Sequence, residues 1–391
     1  MRLRFRLPEV LPTVYPEPRC PLCQSLHVQL RQRVPKALRD SHIEQVCAER
    51  YDCRSCERTF RHYPLGVSQA HTSARLRGTA VMLYLLGLSY GAVSLALGAL
   101  GSPLSKTAVY DAVQAAGERV TGLRRGRASP GGQHQVAALG ADLTGVKCRG
   151  QWLTVGVSVD AVAGLVLSID LLPGGDATTL SAWIAEIAQA VGAEVLVTDD
   201  ADGFKTAADA ASLSQQVCVA HVARNTDAWI AAHQPALAAD ADGSLAEIGV
   251  TPEQAVAALA TIQRLIHTRD PGEEGVEQLQ TIHQRYVQAA SPRQRRAEQM
   301  TLAYKLRLFT LDRWLLYRRL TTYRTWTAVD GAMLDGTNNV SERAIGWWIK
   351  ERYRSMRGYK REQSIQTVTR LTAWAGNQLT TGGADLAQLV S

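Results

Sequence analysis

Apolar and polar positions change period along the chain. Residues 74–86 carry apolar side chains at helical spacing, Gly87-Leu88-Ser89-Tyr90 reads as a turn, and residues 92–100 resume the helical spacing. Gly101-Ser102-Pro103 breaks the chain again, and Ser105 is placed to N-cap a third helix over 106–119. The Arg-, Gly-, Ser- and Pro-rich run 124–132 reads as a linker. Beyond it, segments 135–141, 152–159 and 164–171 are short, rich in Val and Leu, and bounded by Gly or polar turns, which predicts three strands. Residues 178–191 place Leu180, Trp183, Ile184, Ile187 and Val191 on one helical face. A fourth strand follows over 194–198, a helix over 204–211 and a fifth strand over 216–220. From 222 to 330 strand signals almost vanish, and helices are predicted over 253–266, 276–289 and 297–323, then over 338–348 and 362–374. There is no internal repeat and no long low-complexity tract.

Composition adds a limit and charge adds a partner. With 391 residues, 46 % hydrophobic and 20 % charged, the chain can bury several cores and is not a disordered polyelectrolyte. The net charge of +7 hides an asymmetry: residues 1–127 carry +10, 128–290 carry −12, 291–361 carry +10 and the last thirty −1. Two basic blocks around an acidic centre suit a polyanion such as nucleic acid, although solvated helix faces give the same count. The longest apolar run, 81–88, is too short to span a bilayer, which needs about 20 residues. The start, Met1-Arg2-Leu3-Arg4-Phe5-Arg6, has no apolar stretch behind it that would make a signal peptide. The expectation is a cytoplasmic, nucleoid-associated protein without a membrane partner.

Four of the seven cysteines form two pairs, Cys20-Pro21-Leu22-Cys23 and Cys53-Arg54-Ser55-Cys56. Two such knuckles supply four thiolates for one tetrahedral Zn²⁺, the pattern of a zinc ribbon; a redox dithiol or plain buried thiols are the alternatives. A ribbon of this size is a recognition module, and no catalysis is expected there. Cys47 reads as a core residue, while His62 and His71 are spare potential ligands. The helical trio that follows reads as a helix-turn-helix, with Ser105, Lys106, Thr107 and Tyr110 opening the helix that would enter a DNA groove; a generic helical hairpin is the alternative.

The acidic residues fall at strand ends. Asp142 ends the first strand of the central segment and Asp199 follows the fourth. In a ribonuclease-H-like mixed sheet those strands are neighbours, so the two carboxylates would face each other. With a Glu from a later helix they could hold two Mg²⁺ ions about 4 Å apart for phosphoryl transfer, with Mn²⁺ able to substitute. Glu342, in Asp335-Gly336-Thr337-Asn338-Asn339-Val340-Ser341-Glu342-Arg343, fits that place; turn-capping Asp and helix-capping Asn are the competing roles. Asp200 and Asp202 compete with Asp199, but Asp200 would be turned to the other side. Asp160, Asp170 and Asp176 suit turns and caps. The residues from Asp199 to Glu342 are 143 positions apart, which calls for an inserted domain. Near the end, Trp347, Trp348, Tyr353 and Tyr359 alternate with Lys350, Arg352, Arg354, Arg357, Lys360 and Arg361, a mixture suited to phosphates and splayed bases; a buried aromatic face is the alternative for the two Trp. Lys147 joins the DNA-facing set. Arg313 to Arg319 read as a packed amphipathic helix with its Arg side chains toward DNA.

Together, Asp142-Leu143-Thr144, Thr198-Asp199-Asp200 with Phe204-Lys205, Cys218-Val219-Ala220-His221, the Asn-rich lead into Glu342 and the basic tail resemble the DDE transposases of bacterial insertion sequences, in the groups related to Mutator-like elements. The resemblance runs over nearly the whole chain. It implies a multidomain α/β protein: a zinc ribbon over 1–66, a helix-turn-helix over 67–128, a ribonuclease-H-like core over 134–221 and 335–378, and an all-helical insertion over 222–334. It implies catalysis by Asp142, Asp199 and Glu342 with Mg²⁺, and Zn²⁺ on Cys20, Cys23, Cys53 and Cys56. Cys218 and His221 match the family's C-x-x-H signature and are expected to be a structural or DNA-positioning pair rather than a metal site, because two ligands do not close a Zn²⁺ shell. The partners implied are double-stranded DNA, as inverted-repeat ends and target, and a second copy of the chain, as a dimer or larger assembly. An inert DNA-binding regulator and a structure-specific nuclease of the same fold are the rival readings. The acidic stretch 240–277 is expected to face away from DNA.

Overall fold

In the computed structural model, residues 4–120, 136–268, 272–292, 300–350 and 358–390 are described. The elements are, in chain order, β1 (Phe5–Arg6), β2 (Val28–Ala37), β3 (Gln45–Cys53), β4 (Thr59–His62), α1 (Ala74–Leu85), α2 (Tyr90–Ala99) and α3 (Lys106–Arg119). Then come β5 (Ala138–Cys148), β6 (Gln151–Asp160), β7 (Val166–Leu172), α4 (Ala177–Val191), β8 (Val195–Thr198), α5 (Asp202–Ala210) and β9 (Ser214–Val217). A helical stretch follows: α6 (Val219–Ala238), α7 (Ser244–Glu247), α8 (Pro252–His267), α9 (Gly272–Gln284), α10 (Leu302–Leu320) and α11 (Thr322–Thr325). The chain ends with α12 (Asn339–Ile345), a π turn over Gly346–Lys350, α13 (Glu362–Thr380), β10 (Ala384–Asp385) and α14 (Ala387–Val390). The protein is thus mixed α/β, and no described helix is long and apolar enough to cross a membrane.

The central sheet has the order β7-β6-β5-β8-β9. The first three strands are antiparallel, as short hairpin connections require, while β8 and β9 run parallel to β5 because helices α4 and α5 return the chain each time. One face is covered by α4 and α5 through Leu180, Trp183, Ile184, Ile187 and Phe204. The other face shares one hydrophobic cluster with α1, α3, α12, α13 and α14. The helical trio that reads as a separate module in the sequence therefore has its core in common with the sheet. Its third helix lies so close to α13 that a methyl on Gly117 would sit 2.5 Å from the Thr367 carbonyl oxygen. Arg77 and Arg119 donate to the carbonyls of Val390 and Leu389, tying the C-terminal turn onto the same helices. The stretch α6 to α10 has its own apolar cluster, which includes Ile230, Leu259, Ile262, Phe309 and Tyr317.

At the N-terminus β2, β3 and β4 form an antiparallel sheet. Its apolar cluster consists of Val10, Leu38 and Val46 with Ile43 and Val67 against it. The sheet is latched to α1 by Asp40, whose side chain is fully buried and accepts from Arg75 Nη2 at 2.6 Å and from Ser73 Oγ. Burial pushes the Asp40 carboxyl up, but the Arg75 and Ser73 donors and the His42 N–H outweigh it and hold it below the usual range. A depressed folded value means that the ion pair contributes stability above the unfolded Asp value of about 4, and that this contribution is lost as pH falls through the folded value. Asp40→Ala is expected to cost about 2–3 kcal/mol at neutral pH by leaving Arg75 unpaired. Thermal unfolding should show the gap from wild type closing on acidification.

Candidate functional site

Three elements bring polar groups together beside the middle strand of the central sheet. The first is β5. It pairs with β8 through Ala138–Val195, Leu139–Leu196 and Gly140–Val197. That constant offset, continued four residues past Ala138, places Asp142 level with Asp199 just beyond the β8 terminus. Asp199 is held by its own turn, accepting from the Ala201 N–H at 3.1 Å. Asp200 points elsewhere: its carboxylate is paired with Lys205 at 3.0 Å. Asp202 shares the same lysine.

The second element is α12, and two small residues explain why it lies on the sheet. A Cβ on Gly140 would stand 2.8 Å from Ser341 Oγ and 2.7 Å from Val159. Asn338 is buried and donates from Nδ2 to the Ala141 carbonyl at 3.3 Å. It stands at the N-cap position without making a side-chain cap bond. Gly140, Asn338 and Ser341 thus dock the helix start against the strand that carries Asp142, and Glu342 projects beside it. Gly140→Val is expected to displace α12, costing about 1–3 kcal/mol of stability; denaturant unfolding checks the cost, and any activity that depends on Glu342 should fall with it.

The third element is the N-terminus of α6. Its N-cap residue Cys218 is fully buried, and its first turn carries His221, whose Nδ1 lies 3.5 Å from Glu342 Oε1. Within the cluster the Asp142 carboxyl is pushed up to about 6. Burial is the main cause; the Asp199 and Glu342 carboxylates add to it, while the Leu143 N–H and the His221 ring oppose it. Asp142 thus lies within electrostatic reach of two other carboxylates and an imidazole, while the compact ligand group at this place consists of Cys218, His221 and Glu342.

A separate cluster lies in the N-terminal sheet. Cys20, Cys23, Cys53 and Cys56 bring their sulfurs within 4.8 Å of one another, with Cys20–Cys56 at 3.6 Å and Cys23–Cys53 at 3.5 Å. Four thiolates 2.3 Å from one Zn²⁺ would be about 3.8 Å apart, so the array could hold a structural metal such as zinc. The two knuckles repeat one backbone design. Gln24 and Glu57, each four residues after the first Cys of its pair, take positive φ and donate back to Cys20 and Cys53. Burial would raise the Cys53 thiol, but the Cys56 and Ser55 N–H groups and the neighbouring sulfurs bring it down to about 6. The Ser25 N–H favours the Cys23 thiolate, yet burial and the other sulfurs push Cys23 up to about 12. Such sharing of protons is what clustered thiols do without a cation.

Other sequence expectations meet different fates. Ser105 caps α3, accepting from the Ala108 N–H, and Lys106 and Thr107 are exposed. Tyr110, grouped with them in the sequence, is turned inward: its hydroxyl lies 3.1 Å from Ser364 Oγ and its ring packs edge-on against Tyr90. Arg313 is buried against Phe309 and paired with Asp312, and Arg319 bridges to Asp209 and Gln215, so neither is a free DNA-facing side chain. Arg318 of the same helix is exposed. Cys47 is exposed rather than a core residue. His62 bonds to the Pro16 carbonyl. Asp160 and Asp176 take turn and cap roles, and Asp170 accepts from the Trp183 indole. Arg352, Arg354 and Arg357 lie outside the described residues. The chain after them docks on the β5–β6 hairpin tip: Tyr359 N–H donates to the Lys147 carbonyl at 2.7 Å, and Arg149 Nε to the Lys360 carbonyl at 3.0 Å. Exposed Lys147, Arg149 and Lys360 therefore meet at this hairpin tip, where Lys147 Nζ lies 5.2 Å from the centre of the Trp152 ring. At about 3.3 Å per residue this patch is about 20 Å along β5 from Asp142.

The sequence matches no protein-family model and no curated protein.

Proposed function

We propose that the protein is a DDE transposase of the Mutator-related groups, with a ribonuclease-H-like core. It binds the inverted-repeat ends of its insertion sequence and cuts and joins DNA. The observation that carries this reading is the register of β5 against β8, which sets Asp142 beside Asp199 while α12 adds Glu342. The strand order β7-β6-β5-β8-β9, with three antiparallel strands and then two parallel ones, supports the fold assignment. The separate apolar cluster of α6 to α10 supports the inserted domain between Asp199 and Glu342.

Asp142, Asp199 and Glu342 would hold two Mg²⁺. When bound, the ions supply a water nucleophile at neutral pH and charge stabilisation on the leaving oxygen. The chain's own work is positional. Asp142 is fixed by the sheet and by the Leu143 N–H at 2.7 Å. Glu342 is fixed by the docking of Asn338 and Ser341. The basic patch around Trp152 and the exposed start of α3 offer phosphate contacts that keep the scissile bond at the carboxylates. A DNA 3′-hydroxyl freed by hydrolysis can attack target DNA at the same site, so no covalent protein nucleophile is required.

The test is Mg²⁺-dependent cleavage of labelled DNA carrying the element's own end, with wild type, Asp142→Ala and Glu342→Ala. Cleavage by the wild type and by neither variant is expected. Cleavage that persists in both variants would overturn the site assignment. Sequence-specific binding without any cleavage would favour the inert regulator.

A further inference from the structure

The cluster at Glu342 contains two residues that phosphoryl transfer does not use. Cys218, His221 and Glu342 each offer a ligand atom, and all three atoms lie within 4.8 Å of one another. Among the described residues, the other such group of His, Cys, Asp or Glu is the Cys20 tetrad. Neither Asp142 nor Asp199 belongs to this tighter group. We propose that Cys218, His221 and Glu342 form a second transition-metal site, for Zn²⁺ or a similar borderline-soft cation, distinct from the tetrad.

Chemistry and geometry agree on this. A thiolate and an imidazole select zinc-like ions over Mg²⁺, which prefers oxygen. Tetrahedral coordination with bonds of 2.0–2.3 Å would set the donors about 3.3–3.6 Å apart. His221 Nδ1 and Glu342 Oε1 already stand at 3.5 Å, and the Cys218 sulfur lies within 4.8 Å of a ligand atom of each. His221 Nδ1 is also buried and makes no hydrogen bond, although a carboxylate and a thiol lie beside it. A buried ring nitrogen without a partner is unfavourable, and a cation at this point would satisfy it. Cys218 is held by backbone: its N–H donates to the Thr198 carbonyl at 2.8 Å and its own carbonyl accepts from the His221 N–H at 3.1 Å. The spacing of the pair therefore comes with the first turn of α6. Glu342 is partly exposed, leaving the fourth coordination position toward solvent, as in sites with three protein ligands. Both ions would draw on the Glu342 carboxylate, so on the transposase reading, on which this consequence alone rests, Zn²⁺ here would alter how Glu342 holds Mg²⁺.

The experiment uses full-length protein whose tetrad is first filled with one equivalent of Zn²⁺, then titrated with Co²⁺. One further equivalent is expected, with a sulfur-to-Co²⁺ charge-transfer band and tetrahedral d–d bands. Both should vanish in Cys218→Ser and His221→Ala and persist in Asp142→Asn and Asp199→Asn. Circular dichroism and thermal unfolding report whether each variant keeps its fold. Failure of the wild type to take up the second equivalent, or a charge-transfer band that survives Cys218→Ser, would overturn the proposal. Co²⁺ uptake is read without cleavage, so a protein that binds Co²⁺ here but, with this site emptied and Mg²⁺ supplied, cuts no DNA would sink the transposase reading and leave this one standing.

Discussion

Asp142→Asn is expected to lower Mg²⁺-dependent strand cleavage by about 10³-fold or more, the loss that follows from several kcal/mol of transition-state stabilisation. The fold should survive, because Asn is isosteric and the Leu143 N–H keeps an acceptor. Metal-free stability should even rise at neutral pH. Asp142 titrates at about 6 in the folded protein, with burial as the main cause and Asp199 and Glu342 adding to it. That value is raised above the unfolded value of about 4. The protonated group therefore contributes stability that is complete below the unfolded value and is lost as pH rises through about 6. Unfolding of wild type in a chelator should show that loss between about pH 4 and 7, and Asp142→Asn should flatten it. A variant that loses cleavage and also unfolds would put the residue in the scaffold instead.

Removing one ligand of the cysteine tetrad is the other large effect. Cys53→Ala is expected to remove the tetrad's zinc and to unfold the N-terminal sheet. The reason is its small core. Val10, Leu38 and Val46 are the buried apolar residues of that cluster. So few side chains do not sustain a sheet of this size, whereas a structural Zn²⁺ contributes on the order of 10 kcal/mol. Hydrogen exchange should show protection lost across β2, β3 and β4 and retained in the β5–β9 sheet. Persistence of a folded N-terminal sheet without metal would show that the thiols, and not an ion, fill the space between the knuckles.

Part of this architecture was legible in residue order alone. The C-x-x-C spacing, the α3 limits and the succession of strands and helices through the central segment rest on local interactions, a turn here and a periodic apolar face there. The edges drifted where burial replaced periodicity. The first central strand, read over 135–141, runs Ala138–Cys148, because β5 continues past the sheet core as a hairpin. The single helix read over 338–348 ends at Ile345 and continues as a π turn. The strand β2 went unread because it is mostly exposed, and β3 because its buried positions Val46, Ala48, Glu49 and Cys53 do not form a regular apolar alternation.

The candidate site divides along the same line. Asp199 and Glu342 could be singled out from a strand end and an Asn-rich lead, and Asp200 reads as turned to the other side; Asp142, expected at a strand end, instead lies inside β5, paired with Val157. Their neighbours could not. That Gly140 makes room for Ser341 and that Tyr110 faces Ser364 rather than solvent depend on contacts between residues 201 and 254 positions apart, and that Arg313 is buried depends on which helix face meets a neighbour. The meeting of Cys218 and His221 with Glu342 is of the same kind. The sequence by itself determined the donor types and their local spacing, since the knuckles, the first turn of α6 and the strand ends are short-range geometry. Only the tertiary structure decided which donors share a site, because the sheet order and the docking of α12 on Gly140 bring together segments that carry no common period.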